Sequence, residues 1–217
     1  MINNLQKAGG LASLIEGLIY VAGFIVMCTL LAPDNVAELN STQKLAFLLE
    51  RKDIFQTLHL LIYVVFGVFL VVLTVALYER LKATAALMQV ATAFGIIWAG
   101  LVVASGMVAN TGLDVVADIY IRDTTQATSV WLAIGAVQNG LGGGVEIVGG
   151  LWVLLVSWAA LCVKELPKVL NYIGLLVGIA GLLTIIPGLS DLGAIFGLGQ
   201  IVWFFWLGIF MLRNSKK

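Results

Sequence analysis

The chain is a succession of apolar segments, each about 20 residues long, that are separated by shorter polar stretches. A helix of about 20 apolar residues crosses the ~30 Å hydrocarbon core of a bilayer, whereas a strand of a membrane barrel shows about 10 residues of alternating pattern. The composition agrees with helices in a membrane, because 61% of the residues are hydrophobic and 11% are charged. Soluble domains carry roughly 25% charged residues. The sequence therefore predicts an all-α membrane protein.

We predict one transmembrane domain, residues 1–217, that folds as a bundle of six transmembrane helices. The predicted helices cover residues 11–32, 56–78, 85–109, 143–163, 169–186 and 192–212. Pro33 and Asp34 are expected to end the first helix, and Pro187 the fifth, because proline does not continue a helix. The first apolar segment is longer than that of a cleaved signal peptide, so we expect it to remain in the protein.

Two longer polar segments are predicted to form amphipathic helices in outer loops of the bundle. In residues 34–53, three leucines recur at helical spacing after a cap candidate at Asn40 or Ser41. In residues 110–139, three aspartates alternate with apolar residues. Such segments are typical of helices that lie on the membrane surface.

The distribution of basic residues predicts the orientation of the chain. With six spans, both termini lie on the same side of the membrane. Eight basic residues then share the side of the termini; they are Lys7, Arg80, Lys82, Lys164, Lys168, Arg213, Lys216 and Lys217. Four lie on the other side; they are Lys44, Arg51, Lys52 and Arg122. Because basic residues concentrate on the cytoplasmic side, we expect both termini to be cytoplasmic.

A glycine-rich run at residues 140–144 is predicted to break the chain before the fourth helix. An uninterrupted helix from Thr128 to Val163 would be ~54 Å long, which exceeds the ~30 Å core. Glycine permits backbone angles that other residues avoid. We therefore expect the helix to start anew after this run, close to Glu146.

Three polar residues, His59, Glu146 and Asp191, are predicted to lie at one depth near the outer face of the membrane. His59 and Glu146 each lie about three residues inside a helix that runs inward, and Asp191 immediately precedes the last helix. Each also has a structural explanation. His59 can be a neutral hydrogen-bonded histidine, Glu146 a carboxylate favoured by the helix dipole, and Asp191 an N-cap. Together they form a candidate ligand-binding pocket, in which His59 and Glu146 would pair.

Glu16 is a second candidate, because it lies inside the first predicted helix. Tyr20 follows at i+4 on the same face and is a candidate with it. A carboxylate within a membrane helix is expensive and needs either a partner or a function. The amides of Gln89 and Gln200 are more simply explained as hydrogen bonds between helices.

Several kinds of site are excluded by the residues that the chain contains. Its single histidine rules out sites that need several histidines in one chain, and we predict no metal and no cofactor. Neither a G-x-S-x-G motif nor another nucleophile motif occurs, so no catalytic residue is assigned. With no net charge, the chain has no nucleic-acid footprint. Cys28 and Cys162 are predicted at opposite ends of the bundle, too far apart for a disulfide.

Three stretches carry a resemblance to a known family. They are residues 93–106 (AFGIIWAGLVVASG), 130–160 (VWLAIGAVQNGLGGGVEIVGGLWVLLVSWAA) and 166–175 (LPKVLNYIGL). Through them the whole chain resembles a family of bacterial six-helix integral membrane proteins that is catalogued as a domain of unknown function. The resemblance implies a bacterial cytoplasmic membrane and six helices, and it implies no activity and no functional residues.

Three functional classes are compatible with the sequence. The first is binding or transport of a small molecule or lipid through a polar pocket near the outer leaflet, and the shared depth of three polar residues favours it. The second is a structural or accessory subunit, which has lipids and either a second copy or another membrane protein as partners. The third is a metal-free membrane enzyme with glutamate and histidine as acid and base, and the absence of nucleophile motifs argues against it.

Overall fold

The computed structural model describes residues 2–32, 37–143 and 146–214. Within these ranges the chain is all-helical, with 88% of the residues in helices and no strand. The predicted all-α class is confirmed. The predicted helix stop at Pro33 and Asp34 lies outside the described residues.

Nine α-helices occur within the described ranges. They are α1 (Ile2–Thr29), α2 (Ser41–Glu50), α3 (Lys52–His59), α4 (Phe66–Leu81), α5 (Ala85–Tyr120), α6 (Thr124–Gln138), α7 (Ile147–Val163), α8 (Lys168–Leu183) and α9 (Leu192–Arg213). A π-helical turn, Leu60–Val65, joins α3 to α4, and a second one, Asn139–Gly143, follows α6. A 3-10 turn at Lys82–Thr84 separates α4 from α5.

Four helical segments of the described chain are long and apolar enough to cross a membrane. They are Asn4–Thr29, Lys52–Tyr120, Thr124–Val163 and Leu192–Arg213, and α8 is a shorter apolar helix. The third segment is interrupted at Gly142 and contains residues 144 and 145, which lie outside the described ranges. The second stretch reverses direction at its 3-10 turn, so that α4 and α5 pack side by side. Apolar helices of this length support a location in a membrane.

The long helices pack in a closed sequence of neighbours. Helix α1 lies between α4 and α9, α9 packs on α8, and α8 packs on α7. Helix α7 packs on α5, and α5 packs on α4, which closes the sequence. The side chains that point inward form the main hydrophobic core, whose largest fully buried members include Trp152, Trp203 and Phe204. This core surrounds the space in which the candidate site lies.

Helix α5 is longer than predicted. It continues to Tyr120, whereas the sequence indicated an end at residue 109. The additional turns are stabilised by tertiary contacts, because Leu113 and Val116 are fully buried in a second, smaller core that also contains Leu45 of α2. Asp114 on the opposite face forms an ion pair with Lys52 (Nζ to Oδ1, 2.6 Å). Asp114 and Asp118 of this segment therefore lie on a helix.

Two side-chain caps start the helices that pack on the far end of α5. The Asn40 side chain accepts a hydrogen bond from the backbone N–H of Gln43 at 2.9 Å and begins α2. The Asp123 carboxylate accepts from the backbone N–H groups of Thr125 and Gln126 and begins α6. An N-cap satisfies backbone donors that have no partner inside the helix.

Helix α1 starts at Ile2, nine residues before the predicted start at residue 11. The extension packs on α4: the Gln6 side chain donates to the Ala76 carbonyl at 2.8 Å. A methyl group on Gly9 would lie 2.3 Å from the Ala76 Cβ, so the glycine permits this close approach. Because the helix starts early, Glu16 lies in its middle and no longer near its N-terminus. The remaining predicted boundaries differ from the observed ones by a few residues.

The predicted break in the glycine run is confirmed. Gly142 has φ 111° and ψ 19°, which interrupts the helix within Asn139–Gly143. Only glycine adopts such a conformation without strain. Helix α7 then begins at Ile147, with Glu146 at its N-cap position. Gly144 lies outside the described residues.

Candidate functional site

A cavity of about 360 Å³ lies between α1, the π turn Leu60–Val65, α4, α5 and the start of α7. Its lining is mostly apolar and aromatic. The lining residues are Ile19, Tyr20, Gly23, Phe24, Met27, Cys28, Ile62, Tyr63, Phe66, Trp98, Val102, Gly142 and Glu146. A volume of this size accommodates a small organic molecule.

Irregular backbone forms two walls of the cavity. Ile62 and Tyr63 belong to the first π turn, and Gly142 supplies the positive φ of the second. A π turn adds one residue to a helical turn, and such turns recur at functional sites. A side chain at Gly142 would be strained whatever space surrounds it.

Aromatic rings form a continuous surface on one side of the cavity. The Tyr20 ring contacts Phe66 edge-on with centroids 5.5 Å apart, and Phe66 contacts Trp98 at 5.6 Å. Trp98 leads on to Trp152 at 5.6 Å, deeper in the core. Contacts on several sides hold these rings in position, so their faces and edges are presented to an occupant in fixed orientations.

Glu146 is the carboxylate of this cavity. It is half-buried, and its side chain makes no capping hydrogen bond to α7. Its backbone N–H donates to the Thr184 hydroxyl at 2.9 Å, which ties the start of α7 to the end of α8. Tyr20 and Tyr63 line the same cavity as the carboxylate. The position at a helix start favours a negative charge, and the missing cap bond leaves the carboxylate oxygens available to a ligand.

His59 lies away from this lining, and its predicted pairing with Glu146 is wrong. The ring is buried, stacks on Phe55 with centroids 3.7 Å apart and lies 5.2 Å from Tyr63. Its Nδ1 is 2.9 Å from the Phe55 carbonyl oxygen and donates to it. These contacts are those of a hydrogen-bonded core histidine. Tyr63, one helical turn after His59, lines the cavity. The sequence predicts this position for His59, from its depth along the helix.

Asp191 does not join the cavity either. It holds the N-cap position of α9, but its side chain makes no capping bond and is exposed. Of the five predicted site residues, the structure brings together Tyr20 and Glu146 on the cavity wall. The predicted convergence of His59, Glu146 and Asp191 is therefore not formed.

Glu16 lies one helical turn below Tyr20 and is fully buried. Neither carboxylate oxygen has a hydrogen-bond partner among the described residues. Gln200 is also fully buried with both amide atoms unpartnered, while Gln89 is exposed. The predicted hydrogen bonds between helices are thus not made by these amides.

The sequence did not single out Tyr63, Phe66 or Val102 as cavity residues. Nothing in the sequence signals a π turn at Leu60–Val65, and this turn decides which side chains of the segment face the cavity. Trp98 is one of six tryptophans, and the sequence does not distinguish it from the others as a cavity residue.

Among the described residues, no group of three or more histidine, cysteine, aspartate or glutamate side chains is arranged to hold a metal ion. Both cysteines are free. Comparisons of the chain with protein-family models, with curated proteins and with solved structures yield no match.

Proposed function

We propose that the protein binds a small organic cation with an apolar body in the cavity between α1 and α5. The observation that carries this proposal is the composition of the lining, in which one carboxylate stands among aromatic and aliphatic side chains. Among the described residues that line the cavity there is no lysine, arginine or second carboxylate. The site thus has one negative group and no basic counterpart.

Two physical terms favour a cation over other occupants. An ammonium group gains charge-assisted contact with the Glu146 carboxylate, and it is attracted to the faces of Tyr20, Phe66 and Trp98 by their ring quadrupoles. An anion would be repelled by the Glu146 carboxylate. A neutral apolar molecule would remove water from the carboxylate without replacing the lost contacts. The remaining lining, which includes Ile19 and Val102, matches an apolar substituent.

We also propose how the protein is arranged in the membrane. The six spans would be α1, α3 with α4, α5, α7, α8 and α9, with both termini on the cytoplasmic side of a bacterial inner membrane. The long apolar helices and the eight-to-four distribution of basic residues support this arrangement. The cavity then opens in the outer half of the bilayer, because it lies near the end of α1 and the start of α7. The resemblance to a family of bacterial six-helix membrane proteins agrees with this arrangement.

Replacement of Glu146 by glutamine tests the proposal with benzyltrimethylammonium as the probe. We expect equilibrium binding of this cation to purified protein in nanodiscs to weaken at least about tenfold, or about 1.4 kcal/mol. The reason is that glutamine keeps the shape of the side chain and removes its charge. Binding to the wild-type protein should also weaken as the pH is lowered, because protonation neutralises the same carboxylate.

The matched control is Asp118→Asn, which removes an exposed carboxylate on α5. Asp123→Asn is a poorer control, because Asp123 caps α6. Phenylacetate, of similar size and opposite charge, should not bind. Equal affinity of the wild-type and Glu146→Gln proteins for the cation would contradict cation binding and leave the accessory-subunit role as the better explanation.

A further inference from the structure

The interior of the bundle contains a layer of polar side chains that have no hydrogen-bond partner in the described part of the chain. Its members come from α1, α4, α7 and α9. They are Glu16, Thr74, Trp152, Ser157, Gln200 and Trp203. The layer is continuous in places: a methyl group on Gly174 would lie 2.0 Å from the Ser157 hydroxyl and 2.7 Å from the Trp203 indole nitrogen. Buried polar groups without partners are uncommon in proteins and need an explanation.

The register of α1 and α9 places Glu16 beside Gln200. The Ser13 hydroxyl donates to the Phe204 carbonyl at 2.7 Å, and a methyl group on Gly197 would lie 3.7 Å from the Tyr20 ring. Glu16 lies between Ser13 and Tyr20 on α1. Gln200 lies between Gly197 and Phe204 on α9. Both side chains are fully buried, so a carboxyl group and an amide share one level of this interface.

An ionised Glu16 would have no positive partner at this level. On the packed helix α4, Arg80 donates to the Gln6 side chain and the Asn214 carbonyl. Gln6 precedes Glu16 by ten residues, about 15 Å along the helix. Lys7 and Arg213 are exposed at that same end. A charge buried in a membrane interior without a counter-ion is strongly disfavoured, so the carboxyl group must bind a positive ion.

A proton is the ion that fits best. A metal cation needs several oxygen ligands at once, whereas a proton needs only one carboxylate oxygen. Tyr20 connects this position to the cavity, since it lines the cavity and follows Glu16 by one turn on the same face of α1. We propose that Glu16 is a proton-binding site inside the bundle and that Tyr20 links it to the cavity.

The transfer itself is a simple proton exchange. Because neither Glu16 oxygen is hydrogen-bonded to Tyr20 among the described residues, a water molecule or a side-chain rotation must first bring the two groups together. Glu16 then gives its proton to the Tyr20 oxygen, directly or through that water, and the Tyr20 hydroxyl proton passes to Glu146 or to water in the cavity. One O–H bond breaks and one forms at each step, and nothing is oxidised or reduced. Titratable groups on the packed elements separate into two sets. Tyr20, Tyr63 and Glu146 lie on the cavity side, and Lys7, Tyr78, Glu79, Arg80 and Arg213 lie toward the other end. A cation bound at Glu146 would favour release of the proton, and only this coupling rests on the function proposed above.

Infrared spectroscopy of the protein in nanodiscs tests the proton site without any ligand. We expect a carbonyl stretch of a buried carboxylic acid that is present at neutral pH, disappears in Glu16→Gln and persists in Glu146→Gln. Glu16→Asp should shift the band rather than remove it, which keeps the assignment testable if the glutamine variant does not fold. In heavy water the band should exchange more slowly in Tyr20→Phe than in the control Tyr172→Phe, whose tyrosine is 56% exposed.

Three results would overturn the proposal. A Glu16 band that is missing at every pH, or one that emerges only when sodium is withdrawn, would show that no proton or a metal cation is bound. Unchanged exchange in Tyr20→Phe would remove the link to the cavity. Failure of benzyltrimethylammonium to bind, with the band and its exchange as expected, would refute the cation-binding function and leave the proton site in place.

Discussion

The replacement Gly150→Val is expected to disrupt the packing of α7 on α8 and to destabilise the protein strongly. A Cβ at Gly150 would lie 2.7 Å from the Gly178 carbonyl oxygen and 2.9 Å from the Leu182 backbone nitrogen. Both atoms belong to the backbone, so the clash is relieved only when the helices separate. Because helices in a membrane associate through close packing, we expect a loss of about 3 kcal/mol or more.

The measurement is the midpoint of unfolding in mixed micelles, together with the yield of monodisperse protein. Gly100→Val is the matched control, because Gly100 is exposed on α5 and has no atom within 4 Å of its Cβ position. This control should change stability by less than about 1 kcal/mol. A Gly150→Val protein that unfolds at the same midpoint as the control would contradict the observed approach of α7 and α8. The same close approach explains Gly178, where an added Cβ would lie 2.7 Å from the Gly150 carbonyl oxygen.

The second large effect is expected from Trp152→Ala. Trp152 is fully buried and joins two halves of the aromatic core, with ring centroids 5.6 Å from Trp98 and 5.7 Å from Trp203. Its removal leaves a cavity at a point where several helices meet, so we expect a loss of about 3 kcal/mol. Trp98 would lose its support, and binding of benzyltrimethylammonium should weaken as well.

Trp158 provides the comparison on the same helix. It is 55% exposed, and Trp158→Ala should change the unfolding midpoint by less than a third of the effect of Trp152→Ala. The contrast depends on packing rather than on hydrophobicity, because both side chains remain in apolar surroundings when the helices separate in a membrane. Equal effects of the two substitutions would show that the aromatic core does not stabilise the fold.

The long helices could be predicted from the sequence because apolar length alone signals a membrane helix. The break at Gly142 could be predicted because an unbroken helix would have been too long. The extension of α5 to Tyr120 could not, because it depends on Leu113 and Val116 meeting α2 and α6, which are distant in the chain or follow a turn. The sequence pattern within one segment gives no information about contacts with distant segments.

The candidate site was predicted in part. Depth along a helix drew attention to Glu146, which lines the cavity, and the membrane carboxylate rule drew attention to Glu16. Depth does not tell which face of a helix a residue occupies, and this is why His59 was placed in the wrong surroundings. A π turn follows His59 and adds a residue to the helical turn, which rotates the face by about 100° and brings Tyr63 to the cavity.

Thiol labelling of Cys28 tests the occupation of the cavity most directly. Cys28 lines the cavity, while Cys162 lies on α7 outside its lining, and both thiols are free and exposed. The variants Cys162→Ser and Cys28→Ser each leave one thiol, so that each site is read separately with the same maleimide. We predict that benzyltrimethylammonium slows labelling of Cys28 several-fold and leaves Cys162 unchanged, and that Glu146→Gln abolishes this protection. Labelling of Cys28 that is unaffected by the cation, or slowed equally at Cys162, would contradict binding of an organic cation in this cavity.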